Sequence, residues 1–439
     1  MNKTINQLEE KTTGSNNDEL LIWDSSTAKT KKISILNLLK NLVAKTTTVN
    51  GHPLSNNVEV TKDDVGLGNV YETDSFPCSR WLRFSISDKK SLVIKAGVTI
   101  KVGSHFFHID SDTTYSMGSS LTAGADYFVY LNYSDDSWTV TCSITKSADT
   151  DSKRYIGRFH TLCVSVGSGT TMIAPTEPSS SGASGNYLIK SYDEYTDPDF
   201  YTFYNKAITA RVNQTYYDVV TVAHPLAGYS AGDILPESVW CLTWKPSSRY
   251  EDAMVYDRDT DIAVDVYLQS GKGLSTRSKY STNTRPTNSR QQYNHQADMM
   301  SVGKRLLRDF EFSSCALGSN ERTNIAGSSS VNSSGGHSDT ASRRMISAIG
   351  CEDCCGFLLQ WLDEIIGKSD ETSWSEEVST TFDGHASFGQ INWNPRALMA
   401  GGAWYFGAYC GSRCRHAAAV RSDVDTRFGG RGSSHVIRK

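Results

Sequence analysis

Residues 396–439 read RALMAGGAWYFGAYCGSRCRHAAAVRSDVDTRFGGRGSSHVIRK, and this stretch decides how the rest of the chain is interpreted. A Gly401–Trp404 turn lies near its start, and Gly429–Gly432 lies near its end. Between them, large aromatics alternate irregularly with alanines, aspartates and arginines, without the period of a helix or a strand. A core strand would be uniformly apolar and a solvated loop uniformly polar. The mixture is typical of a contact surface for another macromolecule. The alternative is a Gly-rich terminal hairpin on an ordinary fold.

The stretch resembles the variable region of proteins diversified by retroelements, a family that includes the tropism determinants of phages. In that family an RNA template is copied with errors at adenines, and the product replaces the 3′ end of the gene. The usual target codons, AAC, cannot change in their first two letters to encode Trp, Met, Lys, Gln or Glu. Residues 403–432 contain no Met, Lys, Gln or Glu, and their only Trp is Trp404, in the family's fixed GG-x-W motif.

Three segments in the last part of the chain resemble, in order, the C-type-lectin fold shared by the variable proteins and the formylglycine-generating enzymes. Val302–Phe312 is similar to the GKRLP-x-x-x-EF helix segment, Gly350–Trp361 to the G-(V/L)-x-DM-x-GNVWEW strand, and Gly401–Arg431 to the GGSW…GFR finish. Leu307 replaces the usual Pro, and Phe357–Gln360 replace NVWE, so the contacts of these segments do not carry over.

The pattern of the same region predicts its elements. Residues 291–312 predict a helix that turns Ala297, Met300 and Leu306 inward, followed by a second short helix. Residues 262–268 predict a strand, and Met345–Trp361 predict a buried strand-turn-strand.

The N-terminal part reads as an adaptor. Residues 18–24 alternate enough to form a short strand, and Ile35, Leu38, Leu39 and Leu42 fall on one face of a short helix. Such a helix is not stable alone, so it packs on copies of itself, on a partner, or as a cap on the next domain. Residues 49–70 resemble a connector element of phage tail fibres, which implies a trimeric shaft.

The middle of the chain alternates apolar and polar residues in short runs separated by Gly, Ser and Asp turns, which predicts an antiparallel sandwich. The predicted strands are residues 81–86, 92–100, 127–133, 137–144 and 162–166. Residues 176–186 form a low-complexity linker.

Composition excludes several classes of function. The 439 residues carry a formal net charge of -4, so no broad basic face for nucleic acid is expected. No apolar run approaches membrane-spanning length, and the N-terminus lacks the apolar region of a secretory signal, which predicts synthesis in the host cytoplasm. The ten cysteines are therefore expected to be free thiols.

Chemical sites can be drawn from several polar clusters. Cys351, Cys354 and Cys355, with Cys410 and Cys414, could form a zinc site, although cysteine is also a common buried apolar residue. A second candidate metal cluster combines two histidines with two aspartates, His105, His108, Asp110 and Asp112, but their strand-like alternation favours a plain strand.

Catalysis is not predicted, and neither is a required cofactor. Formylglycine-generating enzymes use a cysteine pair after GGSW, and only Cys410 lies near an expected position. His416 lacks an evident nucleophile, and Asp383 with His385 reads as a loop. Calcium stays open, since no compact oxygen-ligand motif is evident.

The sequence therefore predicts a multidomain, mostly β protein with an α+β C-terminal domain. The predicted domains are an N-terminal virion-attachment or trimerisation segment, a tail-fibre connector, a β-sandwich-like domain, and a C-type-lectin-like receptor-binding domain whose variable region is 396–439; they span 1–45, 46–75, 76–180 and 181–439. The expected function is a phage tail-fibre receptor-binding protein that carries no enzymatic activity. The alternative is an enzyme of the formylglycine-generating or surface-polymer depolymerase type.

The resemblance implies a homotrimer in the phage tail that binds a bacterial surface protein or glycan, attaches to tail or baseplate proteins through its N-terminus, and neither binds nucleic acid nor inserts into a membrane. The predicted contact residues combine aromatics, alanines and charged side chains; they are Ala403, Tyr405, Phe406, Ala408, Tyr409, His416, Ala417, Ala418, Ala419, Asp423, Asp425, Arg427 and Phe428. Gly401, Gly402, Trp404, Arg413, Arg415, Gly429, Gly430 and Arg431 are the expected scaffold.

Overall fold

The computed structural model describes residues 19–34, 48–49, 52–53, 78, 82–175, 219–327, 331–366, 375–377, 386–388 and 396–438. The chain divides into two compact units, Met1–Glu72 and Thr73–Lys439. Both are built mainly from antiparallel strands. Across the described residues, no helix has the length and apolar character needed to cross a membrane.

The first unit contains two antiparallel strand pairs. Strand β1 (Glu19–Asp24) pairs with β2 (Lys29–Ser34), and β3 (Thr48–Val49) pairs with β4 (His52–Pro53). The strand predicted at the position of β1 is confirmed, whereas the sequence pattern does not predict the lysine-rich β2. The predicted helix with Ile35 and Leu42 lies outside the described residues, as does most of the connector.

The second unit begins with a region of antiparallel strands. These strands are β5 (Phe84–Asp88), β6 (Ser91–Ile94), β7 (Val98–Val102), β8 (His105–Ile109), β9 (Thr113–Ser116), β10 (Asp126–Ser134), β11 (Ser137–Ser143), β12 (Lys153–His160) and β13 (Thr171–Pro175). Strands β5, β6 and β9 form one sheet, β7 and β8 form a hairpin, and β10 lies between β11 and β12. Their apolar faces enclose a core that includes Leu92, Ile100 and Leu131.

Two strand predictions in this region are wrong. The run 92–100 is two strands, because Gly97 adopts a φ of 77° in the turn between β6 and β7. Residues 162–166 form no strand; β12 takes that place in the sheet instead. The pattern misses β12 because Arg154, Gly157 and Arg158 interrupt its apolar alternation.

In the described residues of the rest of the second unit, short strands combine with two helices. These elements are β14 (Val219–Ala223), β15 (Trp240–Cys241), β16 (Trp244–Pro246), β17 (Met254–Asp257), β18 (Ile262–Asp265), β19 (Gln269–Ser270), β20 (Arg277–Ser278), α1 (Gln292–Ser301), β21 (Arg305–Leu306), α2 (Asp309–Cys315), β22 (Leu359–Ile366), β23 (Ser375–Glu377), β24 (Ala386–Phe388), β25 (Arg396–Gly401), β26 (Gly411–His416), β27 (Phe428–Gly430) and β28 (Gly432–Arg438). Short 3-10 turns cover Pro236–Ser238, Gly273–Ser275 and Gly407–Tyr409.

A nine-stranded sheet runs through both parts of the second unit, in the order β11-β10-β12-β15-β16-β28-β18-β17, with β21 paired to β28. The two parts join where Gly157 and Arg158 of β12 lie opposite Cys241 and Trp240 of β15. A Cβ atom on Gly157 would collide with the Trp240 carbonyl, so only glycine permits this close pairing. A six-stranded sheet, β23-β24-β26-β25-β22-β27, carries the terminal region.

The two predicted helices are present, but the residues predicted to face inward on the first helix are wrong. Ala297 and Met300 are exposed, with Met300 72% accessible, and Leu306 is buried on β21 instead of on a helix. Helix α1 instead turns the polar Gln292, His295 and Asp298 inward. Apolar periodicity cannot detect such a face, because polar groups that find buried partners satisfy the interior equally well.

The strand at 262–268 is confirmed over β18. The region 345–361 is buried as predicted, but it is irregular up to the start of β22 at Leu359, with isolated bridges between Ile346 and Glu352 and between Phe357 and Ala403. Buried hydrogen bonds replace the expected strand here: Glu352 pairs with Arg344 at 2.5 Å.

Candidate functional site

The terminal region forms a surface between β25 and β28, and we call residues 403–427 the display loop. Gly401 and Gly402, with φ values of 89° and 82°, turn the chain into it. A Cβ on Gly402 would approach Cys410 Sγ to 2.7 Å, so these glycines also permit close packing. Arg431 closes the loop from the interior, as expected for scaffold.

Arg431 is 1% exposed and holds the base of the display loop. Its guanidinium donates to the carbonyls of Asp265 and Val266 at 2.7 Å each, to the Glu352 carbonyl, and to Gln360 Oε1 at 3.1 Å. Because every described contact is to a fixed acceptor, the buried charge is well solvated by the protein.

Side chains outside the display loop hold it through its backbone. Asn288 Nδ2 donates to the Thr426 carbonyl at 2.9 Å, and Gln291 Nε2 donates to the Ser422 carbonyl at 3.2 Å. Arg396 donates to the Ala418 carbonyl at 2.8 Å.

Further contacts of the same kind come from backbone amides and one side chain. Ser289 N donates to the Asp425 carbonyl at 3.0 Å, Gln292 N to the Arg421 carbonyl at 3.1 Å, Arg322 N to the Cys410 carbonyl at 2.8 Å, and Asn324 Nδ2 to the Trp404 carbonyl. A loop that is held through its backbone carbonyl oxygens can keep the same backbone conformation when its side chains are replaced.

Nine of the thirteen predicted contact residues lie at least partly on the surface. Tyr405 is 55% and Tyr409 38% exposed. The full set is Tyr405, Phe406, Ala408, Tyr409, His416, Ala418, Asp423, Asp425 and Arg427.

The other four are interior residues, so their placement in the contact set is corrected. Ala403, Ala417, Ala419 and Phe428 are 0%, 0%, 4% and 5% exposed. Phe428 packs edge-to-face on Trp361 with ring centroids 5.0 Å apart, in a core shared with Ala403 and Ala419. An alanine or phenylalanine in a Gly-rich loop gives no sequence signal that separates an outward from an inward position.

The exposed aromatics form a chain of ring contacts. Tyr405 contacts Trp404 and Phe406 with ring centroids 5.9 and 4.9 Å apart, and Phe406 lies 6.3 Å from His416. Arg427 donates to the Tyr405 hydroxyl and pairs with Asp425 at 2.5 Å. This pairing raises the pKa of Arg427 and lowers that of Asp425. The loop therefore presents aromatic area beside a charged pair.

Sequence reasoning missed two residues of this surface. Val424 is an apolar side chain that is 54% exposed between two aspartates. Arg285 lies far away in sequence, yet its guanidinium is 5.5 Å from the Trp404 ring, and within the described residues its Nε and Nη2 atoms have no hydrogen-bond partner. Burial lowers the pKa of Arg285. The exposed Arg413, expected as scaffold, also lies at the surface.

The histidine and thiols near the loop are poorly suited to catalysis. Burial lowers the pKa of His416 to about 4, and Asp423 and Asp425 bond to Val420 N and to Arg427 instead of to it. Burial raises the pKa of the Cys414 thiol to about 12 and that of Cys410 further. Thiols that stay protonated at neutral pH are weak nucleophiles.

The ten cysteines are free thiols, and Cys351, Cys354 and Cys355 are fully buried. The other candidate metal cluster does not converge: His105 stacks on Tyr133, His108 contacts Thr99 and Asp110, and Asp112 pairs with Lys95. Within the described part of the chain, no three His, Cys, Asp or Glu side chains converge in a way that could hold a metal ion. The loop with Asp383 and His385 lies outside the described residues.

The fold and this surface define a class: a multidomain β protein that presents a loop of mixed side chains on a C-type-lectin-like scaffold. Residues 83–183 match the family model of the Mtd second domain. A search of curated proteins found no match.

The whole chain is similar to solved structures of the Major Tropism Determinant. The U1 variant aligns over 97% of this chain and 96% of its own, with 19% identity and a TM-score of 0.56. The M1 variant aligns over 82% of this chain and 84% of its own, with 20% identity and a TM-score of 0.56. The chain therefore has the Major Tropism Determinant fold, which confirms the fold class predicted from the sequence.

Proposed function

We propose that this protein is a phage tropism determinant: a receptor-binding protein of the tail that recognises a bacterial surface protein or glycan through the display loop. The observation that carries the proposal is the attachment of the loop through its backbone carbonyls to Asn288, Gln291, Arg396 and their neighbours. Such a loop tolerates replacement of its outward side chains, which is the requirement for a surface diversified by a retroelement. The Mtd family match and the shared fold support this function.

The proposed contact set consists of the nine exposed or half-exposed predicted residues, with Val424 and Arg285 added. Tyr405 and Tyr409 supply rigid area that loses few rotamers on binding, whereas the Asp425–Arg427 pair selects the partner by charge. Arg285 adds a fixed cation beside Trp404, which favours a receptor with an acidic group at that edge.

The proposed assembly follows from the connector resemblance and the small size of one contact patch. The protein is synthesised in the host cytoplasm, joins the virion as a homotrimer, and attaches to tail or baseplate proteins through its N-terminal unit. Several copies on one particle then convert modest single-site affinity into stable adhesion. A stable monomer in sedimentation at micromolar concentration would contradict the trimer.

Phage carrying Tyr405→Ala with Tyr409→Ala tests the surface. Adsorption to host cells should fall by about two orders of magnitude, because truncating two interface tyrosines removes roughly 3 kcal/mol. Phe106→Ala is the matched control, since Phe106 is a similarly exposed aromatic of the middle region. Unchanged adsorption in the folded double variant would place the receptor site elsewhere.

Sequencing the 3′ end of the gene in a phage population tests diversification. Substitutions should concentrate at the exposed display positions and spare the interior Ala403, Phe428 and Arg431. A uniform spread of substitutions, or none, would reject a retroelement-diversified surface while leaving receptor binding itself open to the adsorption test.

A further inference from the structure

A cleft of about 600 Å³ lies between the middle region and the last region of the second unit. Asp126, Phe128 and Arg158 line it on one side, and Lys245, Tyr250 and Tyr280 line it on the other. Its volume is in the range of small-ligand sites, which are on the order of 300–1,000 Å³. The display loop contributes no residue to it.

Cations dominate the lining of this cleft. Six basic side chains face three carboxylates, although the whole chain has a net charge of -4. The basic residues are Lys146, Arg158, Lys245, Arg249, Arg277 and Lys279. A concentration of one sign of charge in a concave site attracts ligands of the opposite sign.

The three carboxylates already have partners. Asp126 accepts from His160 at 2.9 Å, and Glu251 accepts from Lys146 at 2.7 Å and from the Tyr155 hydroxyl at 3.2 Å. Asp252 pairs at 2.9 Å with Lys304, which lies outside the cleft lining. The six basic side chains still outnumber these three carboxylates, so the lining keeps an excess of positive charge.

Three of the basic side chains have no carboxylate partner among the described residues. Arg158 is 4% exposed and donates to the Asp252 carbonyl at 2.6 Å. Within the described residues, no carboxylate lies at ion-pair distance from Arg158, Arg249 or Lys279. A largely buried cation without a counter-ion is costly, and an anion in the cleft would supply the missing partner.

We propose that this cleft binds an anionic sugar carrying a phosphate or a carboxylate. The arginine guanidinium groups suit the two-oxygen geometry of those anions, and the Phe128 and Tyr280 rings offer apolar faces against which a sugar ring packs. The site is separate from the display loop, so it gives the protein a second ligand whose identity does not change with the loop.

Calorimetry on the full-length protein tests the proposal with four probes: glucose 6-phosphate, glucuronate, glucose and inorganic phosphate. Glucose 6-phosphate, glucuronate or both should bind, more tightly than either inorganic phosphate or glucose, and the affinity should weaken as salt is raised. Preference for the phosphate sugar or for the carboxylate sugar identifies the acidic group. Equal affinity for inorganic phosphate and the sugar phosphate, without glucuronate binding, would overturn the sugar assignment, and no binding by any probe would overturn the site.

Variants locate the binding. Arg249→Ala and Lys279→Ala remove exposed cations that the fold does not need, and each should lower affinity about threefold to tenfold. Lys101→Ala is the matched control, because it removes an exposed positive charge that does not line the cleft. Tyr405→Ala should leave sugar binding unchanged. Native affinity in the Arg249→Ala, Lys279→Ala double variant would overturn the proposal.

Discussion

The interior below the display loop and the loop itself both contain arginines in polar contacts, but the two arginines are used differently. Arg431 is buried and bonds mainly to carbonyls of distant segments, which belong to the backbone of the fold. Arg427 is half-exposed and bonds to Asp425 and Tyr405, which are side chains of the same loop. Arg431 thus connects distant backbone segments, whereas Arg427 bonds to side chains of its own loop that can be replaced together with it.

Arg431→Met should have the largest effect on stability. It removes the guanidinium donor of the carbonyls of Asp265, Val266 and Glu352, of which Val266 keeps the hydrogen bond from Glu352 N at 2.7 Å, so we expect a loss of roughly 3–5 kcal/mol in the free energy of unfolding. Urea denaturation measures this loss. Arg427→Met, the matched change on the surface, should cost less than about 1 kcal/mol. Equal losses in the two variants would remove the distinction between interior and surface arginines.

Acid should destabilise the protein through two desolvated histidines, the buried His295 and the half-buried His416. Burial lowers the pKa of His295, on α1, and of His416, on the loop, to about 4 each. Since the unfolded histidine has a pKa near ~6.5, each contributes stability that is present above pH ~6.5 and is lost as the pH falls toward 4. The loss amounts to on the order of 3 kcal/mol per histidine.

Urea denaturation across this pH range measures the effect. His416→Asn should remove about half of the acid-dependent loss, because the neutral amide does not titrate there. The same pH dependence in this variant and in the native protein would show that His416 is not protected from protonation.

Asn288→Ala should have a smaller and more local effect. It removes the donor to the Thr426 carbonyl, so we expect a loss of about 1 kcal/mol and faster hydrogen exchange in residues 420–427. Thr426→Ala keeps the carbonyl and should change neither. If Thr426→Ala loosens the loop as much as Asn288→Ala, the loop depends on its own side chains.

Tyr405→Phe should have the smallest effect. It removes only the hydroxyl that accepts a hydrogen bond from Arg427 at the exposed surface, so the free energy of unfolding should change by less than about 0.5 kcal/mol. Thermal unfolding of the variant beside the native protein checks this. A loss above about 2 kcal/mol would mean that the loop's aromatic contacts are part of the fold.

The display loop could be predicted from the sequence because its turn depends on residues that are adjacent in the chain. Gly401 and Gly402 turn the chain where the sequence predicted, with positive φ, and Tyr405 and Tyr409 are exposed. The inward positions of Phe428 and Ala417 depend instead on partners such as Trp361, which packs from a distant segment. In a loop whose sequence has no regular period, this long-range packing decides whether a side chain points inward or outward. The composition of the loop therefore cannot predict the direction.

Long-range polar contacts were also beyond sequence reasoning. Helix α1 buries His295 because Gln269 bonds to it at 2.6 Å, and no apolar stripe announces that face. Arg285 reaches the Trp404 ring across more than a hundred residues of sequence. Such residues look like ordinary solvent-exposed polar positions until the chain is folded.

The pairing of β12 with β15 has a mechanical consequence. Hydrogen bonds between the two strands continue one sheet from the middle region into the region that bears the display loop. A force that pulls on the display loop would therefore be carried by the hydrogen bonds between these strands instead of bending a flexible linker. A side chain introduced at Gly157 would separate the two strands. The connection between the middle region and the region that bears the display loop would then be flexible.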